Sequence, residues 1–257
     1  MMVWADTQNG PVTVTVPDRA ALLADIGARF DRGDGFSVAT INLDHVVKLA
    51  RDPAFRDAYG AHSHVTADGN PIVWLSHLAG QGDVALVPGS EVIEPVAELA
   101  AAKGIPVAFF GATETSLKAA AEAMQTKTPG INIVLTLAPA MGFDPDGPAA
   151  DAAIAQIGES GARLVFLALG APKQERFAVR AAAALPGTGY LSIGAGLDFI
   201  SGAQVRAPAW VRAIAAEWLW RMLSNPRRLA ARYGACILAL PRLTLRALAA
   251  RRKGAMS

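Results

Sequence analysis

A chain of 257 residues is long enough for one large α/β domain, or for a core of about 200 residues carrying an appendage. Its 52% hydrophobic content with only 7% aromatic residues is the balance of alanine-, leucine- and valine-rich helices packed on a parallel sheet. The net charge of +2 conceals an asymmetry, because nine basic residues and no acidic one follow Glu217, leaving 15 basic against 22 acidic residues in the body. Such a basic tail addresses nucleic acid or an anionic membrane surface. Cys236 is the only cysteine, which excludes a disulfide within the chain and favours a reducing compartment. The opening "MMVWADTQNG" lacks the basic-then-apolar pattern of a secretory signal. No uncharged apolar run reaches the roughly 18 residues that a membrane span needs.

In chain order, short β-branched runs alternate with longer helical patterns. The strands expected are 12–16, 36–42, 63–67, 84–88, 106–111, 131–137, 163–170 and 189–195, and the helices 18–31, 44–60, 70–80, 91–103, 114–126, 149–160 and 173–184. This alternation predicts βαβ units and a mostly parallel, doubly wound sheet. Ligands of such sheets bind beyond the carboxyl ends of the strands, so the residues just after each strand come first.

"ATINLDH" (39–45) places Thr40, Asn42, Asp44 and His45 at a strand end, although a helix cap by Asn42 or Asp44 explains the stretch without chemistry. In "TADGNPIVW" (66–74) Asn70 and Pro71 suffice to start a helix. That leaves Asp68, followed by Gly69, with no structural duty at the mouth of the sheet. "GATETS" (111–116) offers Gly111 and Thr113 as a phosphate cradle or, equally, as a plain strand exit with an N-cap. "LALGAPKQERF" (167–177) compresses Gly170, Pro172, Lys173, Gln174 and Glu175 into one turn, with Pro172 at the first helical position. A lysine there opposes the helix dipole unless the turn binds an anion. Glu175 reads equally as a favourable helix-start carboxylate and as part of that turn.

"GAGLDFISGAQVRAPAWVR" (194–212) is a glycine-rich strand exit bearing Arg206 and Arg212, but Phe199 stands where a dinucleotide fingerprint needs a small residue. No Walker-A run, Cys/His metal spacing or Gly-x-Ser-x-Gly elbow occurs. From about residue 207 the pattern turns helical, aromatic and basic, with Pro226 suited to a helix start and Pro241 to a break or kink. The domain reading is a core over 1–203 and a helical, basic appendage over 204–257 that associates with membrane.

Taken together and in order, Thr40-Ile41-Asn42 with Asp44-His45, Ala67-Asp68-Gly69, Gly170-Ala171-Pro172-Lys173-Gln174-Glu175, Gly202 with Arg206-Ala207-Pro208, and Glu217-Trp218-Leu219 with Arg221, Pro226, Arg228, Arg232 and Tyr233 resemble the WecG/TagA/CpsF glycosyltransferases, glycosyltransferase family 26. The resemblance covers roughly residues 12–233, and beyond Tyr233 no family motif matches. It implies a Rossmann-like core and an inverting transfer from a UDP-sugar to a saccharide on a polyprenyl diphosphate, in cell-surface polysaccharide synthesis. It assigns the catalytic base to Asp68, supporting roles to Thr40 and Asn42, and the strand-end glutamine to Gln174. It also implies that the appendage closes over the site and brings Arg221, Arg228 or Arg232 near a diphosphate.

The chemistry agrees with that resemblance. One carboxylate removes the acceptor proton, and positive potential holds the leaving diphosphate. That potential is expected from helix N-termini, Lys173, Arg206 and Arg212, with no cofactor and no strict metal requirement. The tail's tryptophans and leucines favour an anionic membrane over nucleic acid, and the resemblance implies that this is the inner, cytoplasmic face of the cytoplasmic membrane. A homo-oligomer stays open, as does a non-catalytic nucleotide- or membrane-binding component of an assembly complex. No motif marks which sugar is transferred.

Overall fold

The computed structural model describes residues 1–200, 202, 220, 222 and 226–254, the side chains of residues 198, 226 and 228 excepted. Six parallel strands carry the fold: β3 (Phe36–Ile41), β4 (His64–Ala67), β5 (Pro106–Gly111), β6 (Asn132–Leu137), β7 (Leu164–Ala168) and β8 (Gly189–Ser192). Their order is β4-β3-β8-β7-β5-β6. A short antiparallel hairpin, β1 (Ala5–Thr7) with β2 (Gly10–Val12), stands outside this sheet. The helices are α1 (Arg19–Arg32), α2 (Leu43–Leu49), α3 (Pro53–Ala61), α4 (Asn70–Leu78), α5 (Gly89–Ala102), α6 (Glu114–Lys127), α7 (Pro148–Glu159), α8 (Lys173–Ala184), α9 (Gly196–Ile200) and α10 (Pro226–Gly254).

Strand alternation sorts the core into layers. Val107 and Phe109 of β5 pack with Phe166, Leu191 and the apolar faces of α1, α5 and α6, while Ala108 and Phe110 join Tyr190, Phe177 and the α7–α8 side. A third cluster lies between β3, β4 and helices α2, α3, α4 and α10. Inner strands are buried on both faces, which is why they read as continuous apolar runs; edge strand β6 instead alternates exposed with half-buried residues.

Five local expectations change. Of 12–16, only Val12 pairs in a ladder; Thr15 and Val16 donate instead to the Val65 carbonyl, so the segment runs beside β4 without joining it. Segment 84–88 lies past the carboxyl end of β4, where Ala85 and Val87 bond singly to Pro17 and Ala67 and no strand forms. The helix over 44–60 divides because Asp52 caps the Phe55 amide at 3.0 Å with Pro53 following it. Helix α4 starts at Asn70 with Gly69 as its cap residue, and α10 runs unbroken through Pro241. An interior proline costs about 3 kcal/mol. Burial of Leu243 and Ala247 beyond it offsets that cost.

Helix α10 is by length and composition able to cross a membrane, with mean hydropathy 1.2 over an 18-residue window within Leu229–Gly254. Yet Cys236, Leu243 and Ala247 are buried and the helix packs on α2 and α4, as a helix docked on the protein does.

Candidate active site

The chain leaves β3 for β4 on one side, while β8 arrives beside β3 from β7 on the other, so the strand order reverses between β3 and β8. A crevice at such a reversal is where α/β sheets bind ligands. Thr40 is the penultimate residue of β3, and its neighbour in register is Thr66 of β4. Two residues further, the Asp68 amide donates to the Ile41 carbonyl at 2.8 Å, continuing the parallel pairing past the strand end. The Thr40 hydroxyl lies 3.5 Å from Oδ2 of Asp68. Gly69 then turns the chain into α4 at φ +105°, a conformation that side chains disfavour.

By strand alternation, Thr40 shares the face of the sheet covered by α1 and α5. Gly89, the first residue of α5, fits so closely that a Cβ there would stand 3.2 Å from the Ser192 carbonyl and 3.4 Å from the Thr40 methyl. The positive end of a 14-residue helix dipole therefore abuts the tips of β3 and β8. Beside it, a cavity of about 590 Å³ opens between the starts of α1 and α5, lined by Asp18, Arg19, Leu86, Pro88 and Glu91 among others. "PGSE" (88–91) carries no motif that marks it as part of the site, and its place there follows from the packing of α5 on the strand tips.

The turn 170–175 lies on the opposite face. Gly170 has φ +71°, the Ala171–Pro172 bond is cis, and Pro172 stands at the cap position rather than the first helical one. Lys173, half-buried, begins α8. Gln174 is 3% exposed and spent at both ends: Oε1 accepts from the Gly194 amide at 3.0 Å and Nε2 donates to Glu175 at 2.8 Å. Glu175 is fully buried, its second oxygen has no hydrogen-bond partner among the described residues, and burial pushes its pKa up to about 7. Tyr59 of α3 and His62 just past its end belong to the same buried polar region; burial drives His62 down to about 4 and the Tyr59 hydroxyl well above its ordinary value.

Asn42 serves as N-cap of α2, its Oδ1 accepting from the His45 amide at 3.0 Å. His45 is neutral, held by burial at a pKa of about 3, with Nδ1 2.7 Å from the Tyr59 hydroxyl. Gly111 and Thr113 lie apart. Three strand spacings separate β5 from β3, roughly 14 Å. Both have local duties: a Cβ on Gly111 would reach within 2.4 Å of the Ala168 backbone, and Thr113 caps the Ser116 amide. Arg206, Arg212 and Arg221 lie outside the described residues, as does the side chain of Arg228. Arg232 is placed 3.2 Å from Asp44, a contact that local sequence does not signal. Among the described residues no three His, Cys, Asp or Glu side chains gather as a metal site would require.

A doubly wound parallel sheet with a carboxylate, a hydroxyl and a helix N-terminus at its switch point defines a Rossmann-like α/β enzyme. The glycosyl transferase WecG/TagA/CpsF family model matches residues 8–256, and the chain belongs to that family of glycosyltransferases. It is similar to the N-acetylglucosaminyldiphosphoundecaprenol N-acetyl-beta-D-mannosaminyltransferases of Bacillus subtilis (strain 168) and Bacillus spizizenii (strain ATCC 23059 / NRRL B-14472 / W23). Each is 26% identical over 200 residues, covering 77% of this chain and 75% of the relative.

Proposed function

We propose that this enzyme moves a sugar such as N-acetylmannosamine, its uronic acid or glucose from UDP onto a polyprenyl-diphosphate-linked saccharide, in cell-surface polysaccharide synthesis. The observation that carries this reading is the Asp68 carboxylate beside the Thr40 hydroxyl, with the start of α5 packed against the tip of β3. The two Bacillus relatives, named for transfer to a diphosphoundecaprenol-linked sugar, support the acceptor class. In the proposed step, an acceptor hydroxyl attacks the anomeric carbon from the face opposite the diphosphate. Its proton passes to Asp68, the new C–O bond forms as the bond to UDP breaks, and the electron pair leaves on the diphosphate with inversion at the sugar. Helix N-termini, Lys173, Arg206 and Arg212 supply the positive potential, without a strict need for metal.

On this reading α10 lies on the inner face of the cytoplasmic membrane. Ile237, Leu238 and Leu245 are exposed on it, as are Arg242, Arg246, Arg251, Arg252 and Lys253. Each cation near an anionic surface contributes about 1 kcal/mol, so adsorption is expected to be reversible and to weaken with salt. A panel of UDP-sugars offered with a short-chain polyprenyl-diphosphate N-acetylglucosamine, on anionic vesicles, tests the whole. Release of UDP with one donor, unchanged by excess chelator, is the expected result. No release with any donor defeats the transfer reading, and loss of turnover with chelator defeats the metal-independent one.

A further inference from the structure

Helix α10 is the last described element, and one carboxylate fixes it to the core. Asp44, in the first turn of α2 and only two residues past the Asn42 cap, has a side chain 11% exposed. Its Oδ2 meets Lys48 at 2.9 Å and Arg232 of α10 at 3.2 Å, both as ion pairs rather than directed hydrogen bonds. Lys48 reaches further and donates to the Ala171 carbonyl at 3.3 Å. That carbonyl precedes Pro172 in the turn that presents Lys173 and Gln174. One continuous chain of charge thus runs from α10 through α2 to the β7–α8 turn.

The docked face of α10 follows the helical repeat from the same point. Arg232, Cys236, Leu243 and Ala247 are spaced by four, seven and four residues, and the last three are buried. Cys236 lies one turn beyond Arg232. Its thiol is raised to about 11 by burial first and by the Asp44 charge second, so it lies within the field of the same carboxylate.

We propose that Asp44 is the latch that docks α10 beside the active site, and that Arg232 is a positioning residue engaged with Asp44 rather than a ligand of a substrate diphosphate. Removing Arg232 costs the ion pair but leaves Asp44 paired with Lys48, so the core keeps its charge balance and only the docking of α10 loosens. Where one partner of a well-screened pair is removed the loss is small, but this carboxylate is nearly buried and is screened much less.

The lone cysteine provides the readout, independent of any activity. Maleimide labelling of Cys236 in the full chain under native conditions reports how often α10 opens. Arg232→Ala and Asp44→Asn are expected to speed labelling about tenfold, equivalent to about 1.4 kcal/mol of docking. Arg232→Lys, which keeps the charge, is expected to stay within about threefold of the parent protein. With the transfer reaction as a second readout, Arg232→Ala should raise the KM for the lipid acceptor more than it lowers kcat. Labelling unchanged in Arg232→Ala overturns the latch, as does Arg232→Lys labelling as fast as Arg232→Ala. The labelling rates do not depend on the donor or acceptor proposed above, so a failed transfer assay leaves the latch standing or fallen on labelling alone.

Discussion

Replacement of Asp68 by asparagine is expected to lower kcat by a factor of about 10² to 10⁴, the usual contribution of a positioned general base. The substitution changes only the proton affinity. An asparagine at 68 keeps the shape and an oxygen for the Thr40 hydroxyl, and its backbone amide still donates to Ile41, so the junction of β3 with β4 is preserved. Donor affinity, measured calorimetrically with UDP, should therefore stay within about twofold, because the base acts on the acceptor and not on the diphosphate. Thr40→Val is the companion, removing a hydroxyl at 3.5 Å from the carboxylate and costing about tenfold in kcat. Full turnover by Asp68→Asn would remove the base assignment outright.

The second large effect concerns stability and pH. Glu175 is buried with a pKa of about 7 against an ordinary 4.5, so between those values the folded chain holds a proton that the unfolded chain has released. The stability tied to that carboxyl is fully present below pH 4.5 and is lost as pH rises through 7. Raising the carboxyl from 4.5 to about 7 corresponds to about 3 kcal/mol. His45 and His62 act with the opposite sign. Held near 3 and near 4 against an ordinary 6.5, they contribute stability that is complete above 6.5 and lost as the solution is acidified. For these three groups together, stability peaks near neutrality.

Glu175→Gln isolates one limb of that profile. A glutamine carbonyl still accepts from Gln174 but carries no titrating proton. Urea unfolding at pH 5, 6, 7 and 8 should therefore show the variant gaining on the parent by about 1.4 kcal/mol per pH unit up to pH 7, then levelling. A difference that stays flat over that range would mean that Glu175 does not titrate there.

Much of this molecule is legible residue by residue. "PVAFFG" is a strand in any context, since its β-branched and aromatic run fills both faces of a buried sheet, and it is found as β5. Helix starts at Thr113 and Asn42 follow from side chains that reach amides three residues on. The stretch 84–88, which reads as a strand, shows why such a reading fails. Val84 and Val87 are apolar and buried as a strand would be, but their chain lies beyond the end of β4, where no ladder partner exists. Apolar patterning records burial and not pairing.

The candidate site divides in the same way. Asp68 stands out locally because Asn70 and Pro71 leave it without a structural task, and the family motifs around Thr40 and Gln174 name the residues in order. Their meeting is a different matter. Thr40 reaches Asp68 across 28 positions, Gln174 reaches Gly194 across 20, and Arg232 reaches Asp44 from the far end of the chain. The start of α5 reaches the tips of β3 and β8 in the same long-range way, from just after a stretch whose local pattern is that of a strand.

By itself, then, the amino-acid order determined the class of fold and the family and named the candidate site residues, because periodicity, capping and motif spacing are all short-range physics. Only the tertiary structure decided that Gln174 is tied to Glu175 and Gly194, that a helix N-terminus abuts Thr40, and that α10 is tied to Asp44. Those pairings depend on the strand order β4-β3-β8 and on which face each residue presents, and burial rather than local propensity sets both.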